Sequence, residues 1–147
     1  MKSTMTNRTR LFGAALIALS ATTWAAPQGT LYKSPGCGCC GEHARYLEQQ
    51  GWQIKQIESN DMSAIKTRYG TAAAPSCHTL VVGKYAIEGH VPVTAIDKLM
   101  KQQPKNVRAI AAPGMPANSP GMGPYTPGTI DVVAVDAAGK VKPWGKF

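Results

Sequence analysis

From residue 28 onward, the apolar positions fall into short alternating runs separated by short runs of helical spacing. GTLYKS at 29–34 reads as a strand, and 41–50 reads as a helix with Ala44 and Leu47 on one face and Gly51 as its stop. WQIKQI at 52–57 alternates as a half-buried strand does. The stretch 60–70 offers an Asn60 or Asp61 cap, Met62, Ile65 and Tyr69 at helical spacing, and a terminal Gly70. TLVV at 79–82 and YAIE at 85–88 flank Gly83 and Lys84 as a hairpin. Pro92 then opens a helix whose Ile96, Leu99 and Met100 share one face before Pro104 ends it. The order β-α-β-α-β-β-α predicts an α/β fold, a thioredoxin-like mixed sheet flanked by helices, with its core at about 29–104.

The extension at about 105–147 has a different texture. Its stretch 111–128 is dense in proline and glycine and carries Met115 and Met122, and IDVVAVD at 130–136 is a strand followed by a turn at AAGK. Too little chain follows the loop for a second core, so the loop is expected to lie over the first one, with 28–147 as a single domain.

The first residues change the expected compartment. Lys2, Arg8 and Arg10 precede an apolar run at 11–19 that is too short to span a bilayer, and small residues around Thr23 and Ala25 follow. Residues 1–25 therefore read as a secretory signal peptide and the mature chain as periplasmic, with no membrane span after cleavage. Of 16 basic and 8 acidic residues, three basic ones leave with the leader, so 13 against 8 remain, a net charge of +5. These charges are scattered and not interleaved with aromatics, which speaks against a nucleic-acid surface.

Export also changes what the four cysteines mean. Two structural disulfides, Cys37 with Cys40 and Cys39 with Cys77, are the ordinary reading of an even set in an oxidising compartment. Crosslinks sharing one short loop restrict an unfolded chain poorly, however. Cys37, Cys39 and Cys40 sit at the predicted strand-to-helix turn, where unpaired N–H groups and the helix dipole favour the thiolate. In a thioredoxin-like layout the segment 74–82, APSCHTLVV, lies against that turn, so Cys77 and His78 are expected to face the other three thiols. Thioredoxins usually carry a cis-proline directly before that strand. Here His78 takes the place and Pro75 stands three residues upstream, as though a peptide-docking site had been replaced by a ligand.

Four thiols and an imidazole exceed what disulfide exchange requires and suit a soft metal, since thiolates select copper(I), zinc or iron–sulfur clusters and adjacent thiolates bridge neighbouring ions. Copper leads because Met115 and Met122 add thioethers on a nearby loop. His90 reads as a hydrogen-bonded structural histidine and His43 as an exposed helix position. No acidic pair, phosphate loop or Ser-His-Asp pattern suggests hydrolysis. Thiol–disulfide exchange through Cys37 and Cys40 is the alternative. A two-iron ferredoxin is a third reading, weakened by the export signal and the close cysteine spacing.

Taken together, YKSPGCGCCGEH, PSCHTLVVGKYAIEGHVP and AAPGMPANSPGM resemble the signature of the CopG-type periplasmic copper-resistance family, a bacterial domain long catalogued as of unknown function, over about 30–136. The resemblance implies a thioredoxin-like domain holding a cysteine-bridged, multinuclear copper site, with copper(I) as cargo and other periplasmic copper-handling proteins as partners. It implies copper tolerance, through copper redox chemistry or transfer. Carried over by motif, the implied ligands are Cys37, Cys39, Cys40 and Cys77, with His78 close by.

Overall fold

A computed structural model describes residues 25–147; the leader reading, Ala25 apart, lies outside the described residues. Ten elements follow in order: β1 (Gln28–Lys33), α1 (Gly38–Gln49), β2 (Gln53–Glu58), α2 (Met62–Tyr69), β3 (His78–Val82), β4 (Tyr85–Glu88), α3 (Val93–Gln102), β5 (Ala109–Ala111), β6 (Asp131–Val135) and β7 (Val141–Lys146). All seven strands join one mixed sheet in the order β2-β1-β3-β4-β5-β6-β7. β1 runs parallel to β2 and antiparallel to β3, and β3 and β4 form the expected hairpin. The first seven elements thus keep the predicted β-α-β-α-β-β-α order.

The helices form where local chemistry asks for them. Asp61 caps α2 by accepting from Ala64 N at 2.9 Å, and Gly70 ends it in the left-handed region. Pro92 precedes α3, which buries Ala95, Ile96 and Leu99 against the sheet. In α1 the buried positions are Cys40, His43, Ala44 and Leu47, the i, i+3, i+4, i+7 stripe of a helix facing a core. Two sequence readings are corrected here. The helix starts at Gly38, three residues before the predicted 41, so Cys37 is its N-cap residue and Cys39 and Cys40 lie in its first turn. His43 is fully buried, because its position in the apolar stripe overrides its polarity.

The extension continues the same sheet. β5 pairs parallel with β4, β6 antiparallel with β5, and β7 antiparallel with β6. β5 and β7 were not read from the sequence: β5 has three residues, too few to show a period, and β7 is an edge strand. Its outer edge needs no partner, so it carries Pro143 among four exposed residues and shows no alternating pattern. It is held by the 137–140 turn, where Asp136 Oδ1 accepts from Ala138 N and Lys140 N, and by Lys98 Nζ donating to Trp144 O at 3.0 Å.

One buried carboxylate braces the segment that leads into β3. Glu88, fully buried at the end of β4, accepts from Lys66 Nζ of α2, from Ser76 N at 2.7 Å and from Thr79 Oγ1 at 2.6 Å. Both oxygens of the carboxylate are engaged, Oε1 by Lys66 and Ser76 and Oε2 by Thr79, which is what makes a buried charge tolerable. Replacement by alanine strands the Lys66 ammonium and the Ser76 N–H. Glu88→Ala is expected to lose about 3–5 kcal/mol of stability, read as a lower urea midpoint; a loss below 1 kcal/mol would contradict the bracing role.

Candidate metal centre

Two walls meet at the N-terminus of α1. One is the turn from β1, which presents Cys37, Cys39 and Cys40; the other is the segment entering β3, which presents Cys77. The four sulfurs all lie within 4.8 Å of one another. Cys40 is buried and the other three are half-buried, so the cluster faces solvent through Cys37, Cys39 and Cys77. Cys37 and Cys40 are joined as a disulfide with Cα atoms 5.4 Å apart, leaving Cys39 and Cys77 as free thiols. Cys39 Sγ is 3.7 Å from Cys37 Sγ. The sequence expectation that Cys77 faces the other three cysteines therefore holds in space.

His78 points differently from the expectation. It is the first residue of β3, fully buried, with Nδ1 3.1 Å from Cys77 Sγ and Nε2 2.8 Å from His43 Nδ1. His90, in the loop from β4 to α3, places Nε2 3.2 Å from the same sulfur and donates from Nδ1 to Pro120 O at 2.7 Å. His43 donates from Nε2 to Val91 O at 3.0 Å. The three ring centroids are 4.9 to 5.2 Å apart, a packed trio of imidazoles beneath one sulfur. Cys77, His78 and His90 form a second group whose donor atoms lie within 4.8 Å of one another. The reading of His90 as a hydrogen-bonded histidine is right as far as Pro120 and incomplete at its other nitrogen. The signal for His43 was the stripe of α1; nothing local in the sequence marked the trio.

Burial sets the charge of these groups. It pushes His43 down to about 3, with the neighbouring His90 adding to the effect, and it lowers His78 and His90 below the ordinary imidazole value. All three are neutral at pH 7. Burial first, and the nearby Cys39 second, push the Cys77 thiol up to about 11. The activation expected of thiols at a helix N-terminus does not extend to Cys77, which stands across from that terminus in a dry wall.

The proline- and glycine-rich loop, which the sequence only suggested would lie over the core, closes over the imidazole side. Its backbone makes the contact: besides Pro120 O, Gly121 sits so close to α1 that a Cβ there would lie 2.6 Å from His43 N, with φ at +83°. Gly114 O accepts from Ser76 Oγ beside Cys77. Met115 is 59 % exposed and Met122 half-buried on this loop. Among the described residues no helix is long and apolar enough to cross a membrane.

Comparison with known proteins finds relatives of the same fold. A family model described as a protein of unknown function, DUF411, matches residues 74–122, which include Cys77, His78, His90 and the closing loop. Two solved structures of the copper resistance protein CopG, form 1 and form 2, match the fold with a TM-score of 0.74 and 31 % sequence identity each. They cover 84 % of this chain, and the match spans 98 % and 99 % of the respective CopG chains. No curated protein matches the sequence.

Two outcomes are expected of the apo protein. Above pH 6.5 the folded and unfolded chains both hold His43 neutral; below it the unfolded chain binds a proton that the buried ring refuses until about pH 3, so stability falls on acidification across that window. His43 alone should cost about 2 kcal/mol at pH 5 relative to pH 7.5, measured by urea unfolding at the two pH values, and His43→Phe should flatten that slope. Gly121→Ala, strained in φ and colliding with α1, should lose roughly 1–3 kcal/mol and speed amide exchange at His43.

Proposed function

Because the chain belongs to the CopG-type copper-resistance family, we propose that it is a periplasmic copper-binding protein that serves copper tolerance by holding copper(I) in a multinuclear site bridged by Cys37, Cys39, Cys40 and Cys77. The observation that carries the reading is the convergence of four sulfurs within 4.8 Å. Thiolates are soft donors matched to copper(I), and sulfurs this close can each bridge two ions, a role that suits adjacent Cys39 and Cys40 better than chelation of one ion. His78 stands behind Cys77 as a further donor. Met115 and Met122, on the loop whose Gly114 O and Pro120 O contact Ser76 and His90, are the candidate thioether donors of this reading.

The Cys37–Cys40 couple gives the site a redox partner. Reduced, the two thiols supply two electrons and release two protons as they become the disulfide, enough to convert two copper(II) ions to copper(I). Oxidation of this pair also withdraws two of the four thiolates, so copper(I) capacity is tied to the thiol state. Other periplasmic copper-handling proteins are the partners this function requires for delivery and removal.

A second reading, thiol–disulfide exchange with protein substrates, is favoured by one observation: the disulfide lies at a helix N-terminus, where exchange enzymes place theirs. The two readings part at Cys39, which exchange does not need. Anaerobically reduced mature protein, loaded with copper(I) and desalted, should retain more than one copper per chain with all four thiols protected from alkylation. Cys39→Ser should lower that number while leaving insulin reduction unchanged, and the disulfide form should bind less copper(I) than the reduced form. A Cys39→Ser protein with undiminished copper would sink the bridged site.

A further inference from the structure

The imidazole side of Cys77 carries a feature that the four-sulfur site leaves unexplained. A carbonyl oxygen can only accept, so the hydrogen on His90 must sit on Nδ1, facing Pro120 O, and the hydrogen on His43 on Nε2, facing Val91 O. With its one hydrogen on Nε2, His43 offers a lone pair at Nδ1, and the 2.8 Å contact with His78 then has His78 donating from Nε2. That leaves a lone pair on His78 Nδ1. The two nitrogens that approach Cys77 Sγ, at 3.1 and 3.2 Å, are thus both acceptors. A thiol has one hydrogen and satisfies one of them. Two buried lone pairs and a sulfur converge with one proton among them, a cation's environment and not a finished hydrogen-bond network.

We propose that the protein in its Cys37–Cys40 disulfide form binds one divalent ion of the borderline class that includes copper(II), cobalt(II) and zinc(II), through Cys77 Sγ, His78 Nδ1 and His90 Nε2. On binding, three protein–metal bonds replace aqua ligands of the ion, one water stays as the fourth ligand, and the Cys77 S–H breaks, its proton leaving to solvent. A His2Cys donor set suits these ions. Ideal bond lengths place sulfur and nitrogen about 3.6 Å apart around such an ion, so the observed separations need to open by only a few tenths of an ångström. Pro120 O and, through His43, Val91 O hold the rings from behind, the arrangement by which carbonyl partners orient imidazole ligands. Cys37 and Cys40 take no part, so this site persists when the disulfide has removed two thiolates from the copper(I) site. It shares Cys77 and His78 with that reading but does not rest on it.

Cobalt(II) tests this without redox chemistry at the thiols. Disulfide-form protein with two free thiols, titrated anaerobically with cobalt(II), should take up one equivalent with a sulfur-to-cobalt charge-transfer band and the intense visible bands of a four-coordinate site. His90→Ala and His78→Ala should each weaken uptake at least tenfold. In the wild-type protein, zinc(II) should shift the imidazole 15N signals of His78 Nδ1 and His90 Nε2 while His90 keeps its proton on Nδ1, a readout that needs no variant to fold. Absence of the charge-transfer band in the wild type, or unchanged 15N signals on adding zinc(II), would overturn the site. The copper(I) count of the reduced protein is read separately, so either site can fail without the other.

Discussion

The hydrogen-bond chain that runs from Val91 O through His43 and His78 to Cys77, and from Pro120 O through His90 to the same sulfur, is the constraint around which this protein is assembled. Three fully buried imidazoles cannot be left unpartnered, since each stranded polar group costs about 1–3 kcal/mol. Their partners come from α1, β3, the β4–α3 loop and the proline-rich loop. Satisfying them therefore brings those four parts of the chain to one place. The hydrophobic stripe of α1 and the sheet supply most of the driving force, and the imidazole chain selects the docking that sets every ring nitrogen against a polar atom or the Cys77 sulfur, with one thiol hydrogen shared between the last two.

This arrangement gives Cys77 two faces. Toward solvent it joins three half-open or buried sulfurs, a soft and adaptable surface; toward the interior it meets two aligned nitrogens in a dry, rigid wall. Glu88 braces the same segment from beneath through Ser76 N and Thr79 Oγ1, so the residue between the two faces has little freedom to drift. Soft and borderline donors thus stand back to back around one sulfur. Cys37 and Cys40 belong to the first face and not to the second.

Local pattern was enough for the elements that carry a period or a stop: the β-α-β-α-β-β-α order, the Asp61 cap, the Gly70 terminus and the hairpin at Gly83 all follow from spacing within about ten residues. The cysteine motif also narrowed the chemistry to disulfides, thiol exchange or a soft metal, because three thiols in four positions at a helix start have few uses. β5 and β7 were invisible for the opposite reason. Three residues show no period, and an edge strand with Pro143 owes its existence to its neighbour and its turn, not to its own side chains.

The imidazole trio lay beyond any local reading. His43 contacts His78 across 35 residues and Val91 across 48, and His90 reaches Pro120 across 30. Each histidine alone looks like a surface or strand-end residue, and His43 looked exposed until its place in the 40, 43, 44, 47 stripe was given weight. Which donor kinds the chain possesses, and where its helices begin and end within a few residues, is written in short-range sequence, because capping and periodicity are short-range effects. Which nitrogens hold protons and which sulfurs meet depends on folding distant segments together, because a tautomer is set by the carbonyl it faces.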